Sequence, residues 1–185
     1  MAKLIYFTPT SLDGCIADDG HYDWSAPDDV VLAFINDVMR PIGMYLYGRK
    51  TYETMSIWET PNAIPGRTPA MMEFARIWQA ADKIVYSKSL PTASTSRTLL
   101  AREFSPQVVR DLKAQSPRDV SIGGPALAAH AIRSGLVDEY HLLLVPVMIG
   151  RGKRVLPGDV SLMLDLADER SFANGMVYLR YRTRS

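Results

Sequence analysis

Cysteine is almost absent from this sequence: Cys15 is the only one among 185 residues. A lone thiol closes no internal disulfide, so the expected home is the reducing cytoplasm. Without a Cys-x-x-Cys pair there is no thiolate zinc site of the usual kind. The histidines His21, His130 and His141 are dispersed without metal-ligand spacing, so they read as structural and no metal is expected. Charge of one sign is missing as well, with 21 Lys and Arg against 20 Asp and Glu and a net charge of +1. No global field favours nucleic acid or a membrane surface, and neither is an expected partner. No apolar run approaches the ~18 residues that cross a bilayer. The N-terminus lacks the basic-then-apolar pattern of a secretory signal. Any anion binding must therefore come from local geometry.

The composition, 47% hydrophobic and 22% charged, is that of an ordinary globular chain. Its length suits one domain over residues 1–185 with one substantial core. Residues 3–8 read as a first strand, followed by a long loop through Asp13-Gly14 and Asp18-Asp19-Gly20 to Pro27. Val30, Val31, Phe34, Ile35 and Val38 recur at helical spacing between Pro27 and Pro41. Met44–Tyr47 is a short apolar run that predicts a buried strand, and a short helix follows to about Met55. Proline-rich residues 59–69 predict a loop, 70–81 a helix and 83–86 a strand. Leu99-Leu100 begins another strand, 106–115 reads as a helix and 119–122 as a buried strand. Leu127–Ile132 is helical with Gly135 as its stop. Residues 140–149 read as a long strand in which Pro146 marks a bulge or an edge. Asn174-Gly175 is a hairpin turn into a last strand, 176–181. Alternating strands and helices predict an α/β fold with a mostly parallel sheet.

Two strand–glycine–helix junctions stand out, Tyr47-Gly48-Arg49-Lys50-Thr51 and Ile122-Gly123-Gly124-Pro125-Ala126-Leu127. Each sets unpaired backbone N–H groups at a helix start beyond a strand's carboxyl end, where an anion can approach glycine closely. Either junction alone reads equally well as a tight turn. Together, with Arg49, Lys50 and Thr51 beside one of them, they favour a ligand carrying two or more phosphates. Two familiar nucleotide motifs are excluded. Gly43 and Gly48 lie near Walker A spacing, but one residue is inserted and the interval is a buried strand. Gly150-Arg151-Gly152 lacks the third glycine of the Rossmann fingerprint and precedes no helix.

Gly48-Arg49-Lys50-Thr51-Tyr52-Glu53 resembles the Gly-Arg-x-Thr-Tyr/Trp-Glu motif of the dihydrofolate reductase superfamily. Ser11-Leu12-Asp13-Gly14, Gly123-Gly124-Pro125-x-Leu127 and the stretch from Asp138 to Gly152 resemble its RibD C-terminal branch. The order and spacing match over roughly residues 3–181. The resemblance implies a three-layer α/β fold, with a mostly parallel central sheet, an antiparallel C-terminal strand and helices on both faces. It implies NADPH as cofactor, with Gly48, Arg49, Lys50 and Thr51 at its phosphates, and Ser87 and Lys88 on the adenosine side. Gly123, Gly124 and Leu127 would hold the pyrophosphate, and Ile122 would lie near the nicotinamide. Arg49, Lys50 and Lys88 are cationic donors for a 2′-phosphate, and no acid stands obviously ready for a free 2′-hydroxyl. The resemblance also carries the expectation of a homodimer. The His-x-Glu and Pro-Cys-x-x-Cys constellation of the zinc deaminase domain that riboflavin enzymes usually carry is not in these 185 residues, so a reductase-like domain standing alone is expected.

On the substrate side, Thr10 ends the first strand and Asp13 opens the loop that in this family closes over nicotinamide and substrate. Asp13 reads as a catalytic substrate contact or as an Asx-turn. Trp24-x-x-Pro27-x-Asp29 resembles the segment in which dihydrofolate reductase keeps its proton-donating carboxylate. Asp29 is accordingly catalytic or merely favourable helix-end charge; Trp24 stacks on a flat substrate or anchors the loop. The expected activity is hydride transfer from NADPH to a small pterin- or pyrimidine-like molecule. The alternative is a non-catalytic module that binds NADPH as a sensor.

Overall fold

The computed structural model describes residues 1–16 and 23–184. The Asp18-Asp19-Gly20 turn and His21 lie outside them. In chain order the elements are β1 (Leu4–Ser11), β2 (Cys15–Ile16), α1 (Asp29–Met39), β3 (Ile42–Gly48) and α2 (Arg49–Met55). Then come α3 (Pro69–Ala80), β4 (Asp82–Tyr86), β5 (Thr98–Ala101), α4 (Pro106–Gln115), β6 (Asp119–Gly123) and α5 (Pro125–Arg133). The chain ends through β7 (Glu139–Val145), β8 (Lys153–Arg154), β9 (Leu164–Ser171) and β10 (Val177–Thr183).

Eight strands form one sheet in the order β5-β4-β3-β6-β1-β7-β10-β9. Within it β10 runs against both its neighbours, while the pairings from β5 to β7 are parallel. One face packs under α1 and α3, through Leu32, Ile35, Phe74 and Trp78. The other packs under α4 and α5, through Val109, Ala128 and Ile132. Three layers result, and burying each large aliphatic or aromatic side chain contributes about 1.5–3 kcal/mol.

Local chemistry sets the element ends. Asp28 caps α1 by accepting from the Val31 amide, so the helix starts one residue after the cap and two after Pro27. Pro69 opens α3 behind Thr68, whose hydroxyl accepts from Met71 N. Where α3 ends, the fully buried Lys83 donates to the carbonyls of Trp78, which also accepts from the Ala81 amide, and Ala81 at 3.0 and 2.8 Å. That satisfies a helix end with a cation and moors β4 to it.

Two expectations need correction. The strand read as 140–149 stops at Val145, because Pro146 has no N–H to continue the ladder. Strand β9 is an additional element. Its sequence, Leu-Asp-Leu-Ala-Asp-Glu-Arg-Ser, is mostly polar because it lies at the sheet edge with its side chains largely exposed. The hairpin joining it to β10 turns at Asn174-Gly175 as expected, with Gly175 at φ +85° and Asn174 Oδ1 accepting from Met176 N.

Candidate active site

The site lies along the carboxyl edge of β4, β3, β6 and β1. Parallel pairing sets Tyr47 beside Gly123, so both glycine junctions leave the sheet side by side. A Cβ built on Gly124 would lie 3.9 Å from Gly48 N and 2.6 Å from Thr51 Oγ1. Gly124 also has φ +94°, a conformation open to glycine and costly for other residues. The helix starts here differ from the rest. Asp28, Thr68 and Ser105 cap α1, α3 and α4 with side-chain oxygens, whereas Gly48 and Gly124 leave α2 and α5 without a side-chain cap. Both helix starts line a cavity of about 260 Å³, together with Ile16 and Lys153. Lys153 reaches it because β2 and β8 pair, with Ile16 opposite Lys153.

A second cavity of about 500 Å³ continues past Arg49 toward β4 and β5. Ser87 and Lys88 line it, together with Arg102, Glu103, Phe104 and His130. The Phe104 and His130 rings stack at 5.8 Å and 28°, forming one flat wall. Arg49 donates to Glu53 at 2.6 Å and to Ser89 Oγ at 2.9 Å, which aims the guanidinium along the groove. Arg102 donates to the carbonyls of Ser87 and Leu90.

A third cavity, about 250 Å³, opens on the other side of Gly123, Gly124 and Thr51. Its walls come from β1, α1, β3, α2 and α3, and include Phe7, Leu32, Ile35, Trp58 and Phe74. Tyr45 and Tyr47 lie on its floor with rings stacked at 5.4 Å. The Tyr47 hydroxyl accepts from Trp78 Nε1 at 3.2 Å. Burial pushes both phenols well above their ordinary pKa, so they stay protonated.

Residues 2–178 match the family described as RibD C-terminal domain. The chain belongs to that family. YyaP of Bacillus subtilis strain 168, an uncharacterized protein, is 27% identical over 183 residues, covering 97% of this chain and 94% of its own. A putative riboflavin biosynthesis protein from Shewanella sp. PV-4 is similar in structure, with TM-score 0.75 at 20% identity over the whole of both chains. Dihydrofolate reductase from Enterococcus faecalis, complexed with NADP(H) and RAB-propyl, gives TM-score 0.66 at 16% identity over 99% and 97% of the two chains. The fold is therefore dihydrofolate-reductase-like.

On this RibD C-terminal frame, Gly48, Arg49, Lys50, Thr51, Gly124 and Leu127 line one cavity, and Ser87 and Lys88 extend it. Gly123 faces the third cavity. Ile122 does not line any of the three: it is fully buried in the core on the α5 side, because strand alternation turns Ser121 and Gly123 toward the site and Ile122 away. Thr10 is buried with its hydroxyl on the Ser11 carbonyl; Thr8 and Pro9 line the cavity in its place. Trp24 packs against the hydrophobic core and is not in the cavity lining.

Neither expected carboxylate lines the third cavity. Asp29 is exposed and accepts from Thr68 Oγ1 at 2.6 Å, tying the starts of α1 and α3 together. Leu32, Ile35 and Met39 of α1 line the cavity, whereas Asp29, at the first position of the helix, is held by Thr68 outside that lining. Asp13 accepts from Ser11 Oγ, Ile149 N and Gly150 N, the last at 2.8 Å. The hydroxyl of Ser11 and the Gly150 amide hold its carboxyl below the ordinary value. It pins the 147–150 turn to the end of β1. Asp13→Ala should accordingly speed amide exchange at Ile149 and Gly150 by about tenfold, with the amides of residues 48–51 unchanged. Unaltered exchange at Gly150 would remove this pinning role.

Arg102, Glu103, Phe104 and His130 escaped the sequence reading. The signal was present, since 102–104 directly follow β5 at the same sheet edge. Among the described residues no group of three His, Cys, Asp or Glu side chains comes together to hold a metal, and no helix is long and apolar enough to cross a membrane.

Proposed function

We propose that this protein binds NADPH along the first two cavities and reduces a small flat molecule held in the third. The observation that carries this is the single groove joining them. Uncapped amides of α2 and α5 sit at its centre, cations at one end and an apolar chamber at the other. The site fits the cofactor: a side chain on Gly124 would fill the cradle between Thr51 and Gly48. Amides of residues 48–51 and 126–127 suit a pyrophosphate. The Phe104–His130 wall suits a flat base. Arg49, Lys88 and Arg102 outnumber Glu103 and favour a 2′-phosphate over a free hydroxyl.

When bound, NADPH supplies a hydride, and the substrate gains that hydride and one proton as NADP⁺ is left. The chain's part is to orient and to exclude water. Gly123 and Gly124 let the reacting rings approach the backbone, and Ile16 closes the junction of the cavities. One observation favours the sensor as a second reading: no Asp, Glu or His lines the third cavity among the described residues, so a carboxylate or imidazole proton donor is missing there.

Fluorescence titration with NADPH and NADH tests the cofactor, and loss of NADPH absorbance over a panel of pterins and ribosylaminopyrimidines tests turnover. Tight binding with no turnover of any substrate favours the sensor. Arg49→Ala should weaken NADPH by about 1–3 kcal/mol, the value of a charged hydrogen bond, and NADH by much less. Equal losses for both would sink the 2′-phosphate assignment.

A further inference from the structure

The cavity between the two glycine junctions is lined by Arg49, Lys50 and Lys153, with no acid among its described lining residues. Arg49 and Lys50 start α2 at the sheet edge. Lys153 comes from far along the chain, and it arrives because residues 147–155 are laced to residues 6–16. The Leu12 amide donates to the Val147 carbonyl at 2.7 Å, and the Val155 amide to the Gly14 carbonyl at 3.0 Å. Asp13 accepts from the Ile149 and Gly150 amides. The Tyr6 hydroxyl donates to the Val155 carbonyl at 2.8 Å. Between these ties Cys15 pairs with Arg154 and Ile16 with Lys153.

The neighbours of Lys153 aim it. Gly152, at φ +99°, makes the turn into β8. Val155, two residues on, is 3% exposed, and residues two apart in extended chain point the same way. Lys153 therefore looks inward with Val155, toward the cavity and not away from the protein. Arg49 is already engaged there by Glu53 and Ser89. The Lys153 ammonium has no ion pair or hydrogen bond with a described residue. Like charges around one space repel until an anion enters it, and a cleft lined by one sign concentrates that anion.

We infer that Lys153 grips the bridging diphosphate of the cofactor from the β2–β8 ladder, and so ties that ladder to the bound nucleotide. This rests on NADPH lying along the first two cavities. The diphosphate is common to NADPH and NADH, so the role differs from that of Arg49 at the 2′-phosphate. An ammonium serves here as a point charge, and a guanidinium can stand in for it.

Calorimetric titration of the wild type, Lys153→Met and Lys153→Arg tests it. Lys153→Met keeps the apolar stem and removes only the charge. It should weaken NADPH and NADH alike, by about tenfold, and leave adenosine 2′-monophosphate, which has no diphosphate, unchanged. Lys153→Arg should bind both within about twofold of the wild type. NADPH should slow exchange of the Val155 amide in the wild type and not in Lys153→Met. The proposal is overturned if Lys153→Met binds NADH as tightly as the wild type or weakens adenosine 2′-monophosphate equally. It is overturned too if Lys153→Arg loses as much as Lys153→Met, or if the slowing at Val155 survives in Lys153→Met. Inorganic pyrophosphate decides where neither nucleotide binds the wild type. Pyrophosphate bound by the wild type and lost in Lys153→Met removes the NADPH assignment and keeps Lys153 as a diphosphate ligand; pyrophosphate unbound, or bound equally by both, removes both. Nucleotide bound equally by the wild type and Lys153→Met keeps the cofactor and removes Lys153.

Discussion

Replacing Gly124 with alanine should destabilise the protein by about 2–4 kcal/mol and lower NADPH affinity by more than about tenfold. Two separate causes act at this residue. Its backbone, at φ +94° and ψ 123°, lies where a Cβ is strained whatever the surroundings; that strain alone is worth about 1–3 kcal/mol. The new methyl would also stand 2.6 Å from Thr51 Oγ1 and 3.9 Å from Gly48 N, in the space through which a pyrophosphate would reach the amides. Urea unfolding and NADPH titration separate the causes. Gly135, at φ +62° with nothing within 4 Å of a built Cβ, is the control: Gly135→Ala should cost about 1–2 kcal/mol and leave NADPH binding alone. Adding Thr51→Ala to Gly124→Ala relieves the contact but not the backbone, so stability should recover only in part. NADPH bound equally well by Gly124→Ala would mean that the phosphates lie elsewhere.

The glycine junctions were legible in the sequence because direction is built into them. A buried strand, a glycine and a helix in that order fix both the sheet edge and the helix end that face a ligand. Parallel pairing of β3 with β6 then makes neighbours of residues 76 positions apart, Tyr47 and Gly123, and brings Gly124 against Thr51 just beyond them. Position within an element was harder to read. Ile122 and Ser121 are equally plausible in the sequence, and only strand parity, fixed by the sheet's two cores, decides which meets the cavity. Asp29 shows the same ambiguity on a helix. An acidic first turn has a reason of its own, so it carries no information about which face meets a pocket. Strand β9 was hidden because an exposed edge strand needs no apolar alternation, and its one signal was the turn after it. His130 read as structural because its partner Phe104 is far away in sequence and the wall they form is tertiary.

Glu139→Gln is the substitution away from the groove that should cost most, about 2–4 kcal/mol near neutral pH. That is the lower side of what breaking a buried ion pair costs, because the cations concerned still reach water. Glu139 is 3% exposed. Its carboxylate accepts from Lys3 Nζ at 2.8 Å, lies 3.0 Å from His141 Nε2 and sits 3.4 Å from Arg182. The other imidazole nitrogen, Nδ1, lies 2.9 Å from the Tyr178 hydroxyl, which belongs to the core that Phe34 packs upon. A neutral imidazole donating from Nε2 to the carboxylate and accepting at Nδ1 from Tyr178 satisfies every member of this chain. Burial would raise the Glu139 carboxyl, but the bonds from Lys3 and His141 and the charge on Lys3 outweigh it and leave it below its ordinary 4.5. Burial also holds His141 below its ordinary 6.5, and the nearby carboxylate does not offset this. Both groups therefore take up protons more readily in the unfolded chain. Stability should be full above pH 6.5, fall first as unfolded histidine gains its proton, and fall again below 4.5 as Glu139 is protonated. The penalty of Glu139→Gln should then hold steady near neutrality and shrink as the pH drops through the folded carboxyl's own range, because the wild type loses there what the variant already lacks. Urea unfolding of both proteins from pH 7.5 downward measures it, and a penalty that does not change with pH would show that the network is held by shape and not by the ionised carboxylate.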